Sequence, residues 1–383
     1  MADPAHQVVK VEGFEVTCRL PRPVGNSMRT FDRRSSLIVR ITTRSGAVGW
    51  GETWAFPEAA GSLIRSNLAP AILGADATAP RTVQARMVAP LAIDRRGQCH
   101  MAISALDIAL WDAWGRIAGQ PIHALLGGAL RDRVPAYASG PFLEAAPDRY
   151  GALAGEVERY AAAGFRAIKL RVGTDLATDA SAIRQARSIL GAEALLMADL
   201  NEGSTVRDAV ALTEAVADAR LSWIEEPIPH DDLPGYRRLA QLLSLPLAGG
   251  ESFSGTQAFR DFLAAGALDI VQPDLAICGG LTEGLRVAAL ADAFETAVAP
   301  HVWGTGINFL ASLQFAAVLT PRRGPVPFPL FEYDMGINPL RSALYDPQPD
   351  RDGRLAVPDG PGLGIEISID RLADYVTGHW TLE

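Results

Sequence analysis

The sequence predicts an α/β fold: a (β/α)7-8 barrel, that is a modified TIM barrel, with an N-terminal α+β capping domain. Three observations carry this. From Val134 onward, short apolar runs alternate with helical stretches. Asp199, Glu225 and Glu251 each close such a run at an even interval of 26 residues, the length of one strand plus one helix with its loops. Before about residue 125 the chain does not follow this rhythm. The expected division is a capping domain over 1–125, a catalytic barrel over 126–335, and a C-terminal segment over 336–383 that packs back on the cap.

Taken in order, VVKVEGFEVTCRL and SSLIVRITTRSGAVGWGE read as alternating strands. Between them a polar segment, 21–34, is rich in Pro, Arg and Gly and is expected to be a loop. MAISALDIALWDAWGRIAG is apolar at helical spacing and is closed by Gly119 and Pro121. The barrel strands follow: VPAYASG, RAIKLRVG, LLMADL, LSWIEEP, LPLAGGE, ALDIVQPD, TAVAPH and PLFEYD. An open doubly wound sheet is the rival, but it gathers its polar groups at one crevice. Here polar residues end many consecutive strands, as on the carboxyl-terminal face of a barrel.

Bulk properties narrow the function. A chain of 383 residues, 48% hydrophobic and 21% charged, fits a large-cored globule of two domains. No apolar run is long enough to span a membrane, and the N-terminus lacks the pattern of a secretory signal. Cys18, Cys99 and Cys278 are odd in number and far apart, which points to reduced thiols and a cytoplasmic location. A net charge of −9 disfavours nucleic acid and anionic membranes as partners. It leaves room for a small carboxylate substrate, because a bound Mg²⁺ reverses the local field. No glycine-rich nucleotide motif opens a helix after a strand, and Cys278 reads as a small buried residue before a tight turn.

The strand ends carry the chemistry. Lys169 and Arg171 share one face of their strand by alternation. Asp199, with Asn201 beyond it, Glu225, Glu251, Asp274, His301 and Glu332 end the strands that follow. Three hard oxygen ligands on one rim, Asp199, Glu225 and Glu251, can hold a divalent cation such as Mg²⁺. Crowded carboxylates need such a counter-charge to stay ionised. Alternation turns Glu226 away from Glu225. Asp274 precedes His301 by one strand, and a carboxylate on one imidazole nitrogen raises the basicity of the other, which makes a general base or acid. Trp54, Phe56 and Trp303 are candidates to wall the pocket.

IKLRVG, MADLN, WIEEP, AGGES, VQPDLAICGG and APHVWGTG, with ALWDAWGRIAGQPIHALLGG and DGPGLGIE, together resemble the enolase superfamily, mandelate racemase/muconate lactonizing enzyme-like subgroup. NSMRTFDRRSSLIVRI adds a resemblance to its galactarolactone cycloisomerase and acid-sugar dehydratase branch. The resemblance implies that Asp199, Glu225 and Glu251 bind Mg²⁺, which holds a substrate carboxylate while the α-proton is removed and an enediolate forms. It implies that His301, paired with Asp274, is a base or acid, and that Glu332 hydrogen-bonds the carboxylate oxygen opposite the metal. It also implies that cap loops near 22–31 and 50–57 set specificity. Arg22 and Arg29, with Asn201, Trp54 and Trp303, are the expected contacts to a sugar acid or its lactone. Homo-oligomers are common in folds of this kind, and one is expected here.

The chain departs from the subgroup at Arg171, where the pattern usually has a second Lys acting as a base. Guanidinium is a poor base and a good carboxylate or hydroxyl binder. Proton transfer on both faces is therefore disfavoured, unless Lys169 substitutes with a pKa depressed by neighbouring Arg171. Dehydration or lactone cycloisomerisation by β-elimination, as a hydro-lyase or cycloisomerase, is the favoured activity. The alternatives are a racemase or epimerase of a hydroxy acid or amino acid derivative, and a non-catalytic metal-dependent binding barrel.

Overall fold

A computed structural model describes residues 3–91 and 96–383. The first strands are β1 (Val8–Gly25), β2 (Thr30–Thr43) and β3 (Val48–Thr53). After a helical stretch come β4 (Arg133–Ser139), β5 (Leu143–Glu144), β6 (Ala167–Arg171), β7 (Leu195–Asp199), β8 (Ile224–Glu225), β9 (Leu247–Gly249), β10 (Ile270–Val271), β11 (Ala297–Val298) and β12 (Phe331–Asp334). The tail adds β13 (Arg354–Ala356) and β14 (Val376–Leu382).

The cap is an antiparallel sheet in the order β14-β1-β2-β3. One face is covered by the long helix Gln98–Ala118, which ends at Gly119 in the left-handed conformation (φ 63°), as its terminal glycine predicts. The helix lies directly on β3. A Cβ on Gly49 would fall 2.0 Å from the Ala109 carbonyl oxygen, and one on Gly51 1.9 Å from that of Ala105. Glycine on the strand and alanine on the helix are what permit this approach.

The segment 21–34, expected as a loop, is instead mostly hairpin. β1 and β2 pair from Val8↔Thr43 to Arg19↔Arg33, break register, and resume at Val24↔Phe31 and Gly25↔Thr30. The break holds Pro21 and Pro23, which cannot donate to a ladder. The tip then pairs with β5, just past the first barrel strand. Ser27 Oγ donates to the Asn201 carbonyl oxygen at 3.2 Å, so the tip reaches the barrel mouth.

The second sheet runs β11-β10-β9-β8-β7-β6-β4-β12, parallel throughout, with helices between the strands. Its eight strands are those the alternation predicts. Among the described residues β11 and β12 are not paired, so the sheet curls round without closing by hydrogen bonds. Its floor is apolar: Tyr137, Ala167, Met197, Trp223, Ala248, Ile270 and Ala297 fill the interior. The polar residues stand on that floor, toward the carboxyl ends of the strands. In the tail, β13 pairs with the start of β4 and β14 with β1. No described helix is long and apolar enough to cross a membrane.

Candidate active site

Register sets the heights of the side chains. Arg171 pairs with Asp199, and Asp199 with Glu225. Lys169 pairs with Met197, one inward position deeper. Glu225, however, pairs with Ala248, so Glu251 lies three residues beyond the matching point. The equal spacing of the acids therefore does not mean equal register. The chain turns at Gly250 (φ 115°) just before Glu251, a conformation that favours glycine. Oxygens of Asp199, Glu225 and Glu251 all lie within 4.8 Å of one another.

This cluster is buried and charged. Glu225 accepts from Trp223 Nε1 at 3.0 Å, from Gln272 Nε2 at 2.7 Å, and from the Lys169 ammonium. Burial first, then the charges of Asp199, Glu332 and Glu251, push its pKa up to about 7, with Lys169 opposing. Glu251 is raised for the same reasons, with His301 the principal opposing charge. Asn201 donates to Asp199 through its backbone N–H at 2.8 Å and its amide at 3.0 Å. It thus orients the acid, leaving its own buried Oδ1 without a partner. Glu226 differs from expectation. The strand ends at Glu225, Glu226 takes a left-handed φ of 37°, and alternation no longer applies. Its carboxylate is buried with one oxygen unpartnered, and desolvation with the charges of Glu251 and Asp199 raises its pKa well above normal.

These residues fit a divalent cation. The donors are all oxygens, and the carboxylates crowd at a mutual cost that a hard cation removes. Buried oxygens of Asn201, Glu226 and Gln272 beside them lack partners.

Lys169 is fully buried, with its ammonium 3.0 Å from Glu332, 3.5 Å from Asp199 and in contact with Glu225. Burial alone would lower its pKa, but these carboxylates outweigh it and hold the pKa well above normal. The condition under which Lys169 could substitute as a second base, a pKa depressed by Arg171, is not met: the acids beside it raise the pKa instead. Arg171 donates to Ser139 Oγ at 3.0 Å and lies over the Phe142 ring at 4.4 Å. It stands among the acids, with Asp199 and Glu332 raising its pKa against desolvation.

On the far side of the mouth, His301 Nδ1 is 2.7 Å from Asp274 Oδ2. Its Nε2 is 3.3 Å from Glu251 and 3.9 Å from Glu332. Burial disfavours the imidazolium, but Glu251, Glu332 and Asp274 overcome it and raise the pKa to about 10. Glu332 accepts from the Val302 N–H at 3.2 Å. Its pKa falls to about 2, because Lys169, His301 and Arg171 outweigh desolvation.

The expected substrate contacts divide. Trp54 and Trp303 do reach the site, 6.2 Å apart by ring centroids, with Trp54 6.1 Å from the His301 ring. Arg22 is exposed, bonds Glu144 at 2.7 Å, and lines a cavity together with Arg34 and Phe142. Arg29 is exposed at the hairpin tip. Phe56 is 67% exposed. The cap arginine at the wall is Arg34, which lies over Trp303 at 4.1 Å and bonds Asp334 at 2.7 Å. Phe142 and Phe31 pack edge-on to the same indole. Strand alternation through SSLIVRI puts Arg34 on the face of Ser36, Ile38 and Arg40, a mixed face that does not mark it as buried.

Residues 9–127 match the mandelate racemase / muconate lactonizing enzyme N-terminal domain, and residues 152–371 match the enolase C-terminal domain-like family. The chain belongs to the enolase superfamily, in its mandelate racemase/muconate lactonizing enzyme group. It is 38% identical over 362 residues to D-galactarolactone cycloisomerase of Agrobacterium fabrum, covering 93% of this chain and 95% of the relative. It is 32% identical over 344 residues to arabinonate dehydratase of Saccharolobus solfataricus, covering 88% and 90%. The crystal structure of a racemase from Streptomyces coelicolor with bound magnesium superposes with a TM-score of 0.87 at 31% identity, covering 97% of this chain and all of that one. This member of the enolase superfamily is thus an enzyme of lyase or isomerase type.

Proposed function

We propose that this enzyme removes the proton α to the carboxylate of a sugar acid or its lactone and expels a β-oxygen, as a dehydratase or cycloisomerase dependent on Mg²⁺. The observation that carries the reading is the asymmetry of the mouth. A His–Asp pair stands on one side; on the other stand Lys169, in contact with Asp199, Glu225 and Glu332, and Arg171, whose guanidinium is a poor base. Asp199, Glu225 and Glu251 would hold Mg²⁺, which supplies a binding point for the substrate carboxylate and charge stabilisation as the α-proton leaves.

The chain's own residues do the rest. His301 Nε2 takes the α-proton, while Asp274 at Nδ1 orients the ring and stabilises the imidazolium that forms. The bonding pair left on the α-carbon forms the new double bond as the β-oxygen departs with its own pair. In a ring-opening elimination that oxygen leaves as a carboxylate and needs no proton; a β-hydroxyl leaves as water after accepting one from His301. Arg171 and Lys169 stabilise the negative charge on the carboxylate side. Trp303, Trp54 and Phe142 wall the mouth and exclude water. A two-base racemase would need a base where this chain has Arg171, a poor one.

The test is a panel of aldonic and aldaric acids and their lactones, assayed with Mg²⁺ in D₂O for 2-keto acid or ring-opened product. The expected outcome is product carrying solvent deuterium, lost on chelation and restored by Mg²⁺. Activity undiminished by chelation overturns the metal assignment. Deuterium exchange on both faces of the α-carbon overturns the one-base reading.

A further inference from the structure

We propose that Trp54 and Glu52, both on the cap, are positioning residues for the Asp274–His301 pair, so that the base is assembled across the boundary between cap and barrel. The proposal rests on the reading of His301 as the base.

Asp274 is fully buried, and both its oxygens are committed. Oδ2 accepts from His301 Nδ1 at 2.7 Å and from Trp54 Nε1 at 2.8 Å. Oδ1 accepts from the Ala276 N–H at 2.8 Å and from Asn308 Nδ2 at 3.0 Å. The barrel supplies three of these donors, and the cap supplies the indole directly. A tryptophan that only walled a pocket would have no need to place its single N–H on this oxygen.

The cap acts on the other oxygen too, through Asn308. Asn308 lies in the first turn of the helix Gly306–Val318, whose leading N–H groups need acceptors. Glu52 provides them. It accepts from the N–H of Thr305 at 2.9 Å and of Asn308 at 2.8 Å, and is itself held by Ser36 Oγ at 2.9 Å. Glu52 is completely buried, and desolvation raises its pKa. Between the two residues, Thr53 Oγ1 donates to the Ala276 carbonyl oxygen at 2.8 Å. Three consecutive cap residues thus grip the surroundings of one barrel carboxylate. Glu52, in β3, and Trp54, just past its end, both lie close to Gly304 of the loop that follows His301. Rotation of Asp274 by loss of either support would turn the imidazole with it.

Trp54→Phe keeps an aromatic wall and removes the N–H. In full-length protein labelled with ¹⁵N-histidine, the His301 Nδ1–H resonance, identified by its loss in His301→Gln, is expected to shift or broaden in Trp54→Phe. With the panel acid that is turned over and Mg²⁺, kcat is expected to fall about tenfold, with KM little changed. Glu52→Gln should move the same resonance and lower kcat in the same way. Trp303→Phe, which alters a wall residue with no bond to Asp274, should change KM and leave the resonance in place. A Trp54→Phe protein with unaltered resonance and kcat, and only KM changed, overturns the proposal. Failure of the base reading shows separately, as α-proton exchange that survives in His301→Gln.

Discussion

At the scale of single residues, the decisive exchange is arginine for lysine at position 171. The side chain stacks on Phe142 and donates to Ser139, a placement that suits a planar guanidinium and would be poorer for an ammonium. With Arg171 permanently charged and Lys169 engaged by Asp199, Glu225 and Glu332, the proposed function gives the proton transfer to His301. The unmodified enzyme should therefore exchange the α-proton of its substrate on one face only, as read by deuterium incorporation into each stereoisomer. Arg171→Met should lower kcat about 10²-fold or more, the size of effect expected when one preorganised charge is taken from a developing anion. An Arg171→Met enzyme with full kcat would remove Arg171 from the chemistry.

At the scale of elements, the cap is fixed to the barrel by its long helix and by β3. Gly51 admits the helix so closely that Gly51→Ala must push it from the sheet; the expected loss is about 3 kcal/mol or more in urea unfolding. Because β3 carries Glu52 and leads into Trp54, some of that displacement should also appear as lost kcat. On its other side, the same helix presents Asp107 to the start of the helix Gly280–Ala293, where its carboxylate accepts from the Thr282 N–H at 2.9 Å. Burial outweighs this bond and raises the Asp107 pKa from 3.8 to about 7. The folded form thus binds a proton that the unfolded form gives up earlier. The stabilisation tied to that proton is complete below about pH 4 and is lost as the pH rises to about 7. Urea unfolding of the unmodified protein should show this fall as a term that is absent from Asp107→Asn. A stability difference between the two proteins that stays constant from pH 4 to 7 would contradict the assignment.

At the scale of the whole molecule, two kinds of information were present in the chain to different degrees. The barrel was legible because each strand is a short apolar run next to a helix, and because its acids are chemically conspicuous against that background. The hairpin over the mouth was not, because its two prolines and four arginines have the composition of a loop while its pairing depends on a register break. Glu251 shows the same limit in reverse: it joins the cluster of acids that its even spacing suggests, but only the turn at Gly250 makes up for the missing register. The partners of Asp274 on the cap could not be read at all, since Trp54 and Asp274 are 220 residues apart. Convergence of acids from separate strands has a thermodynamic consequence that spans both domains. Asp199, Glu225 and Glu251 repel one another in the folded chain and are far apart when it unfolds, so a cation bound only to the folded form must stabilise it. At a Mg²⁺ concentration 100 times the Kd the gain is about 2.7 kcal/mol, seen as a rise in unfolding midpoint that grows with the logarithm of Mg²⁺. Since Glu251 and Glu332 also raise the His301 pKa, the same titration should lower that pKa as Mg²⁺ fills the site. Glu225→Gln should fold and yet lose most of the Mg²⁺-dependent rise. A midpoint that does not respond to Mg²⁺ in the unmodified protein would mean that these three carboxylates meet for some purpose other than holding a cation.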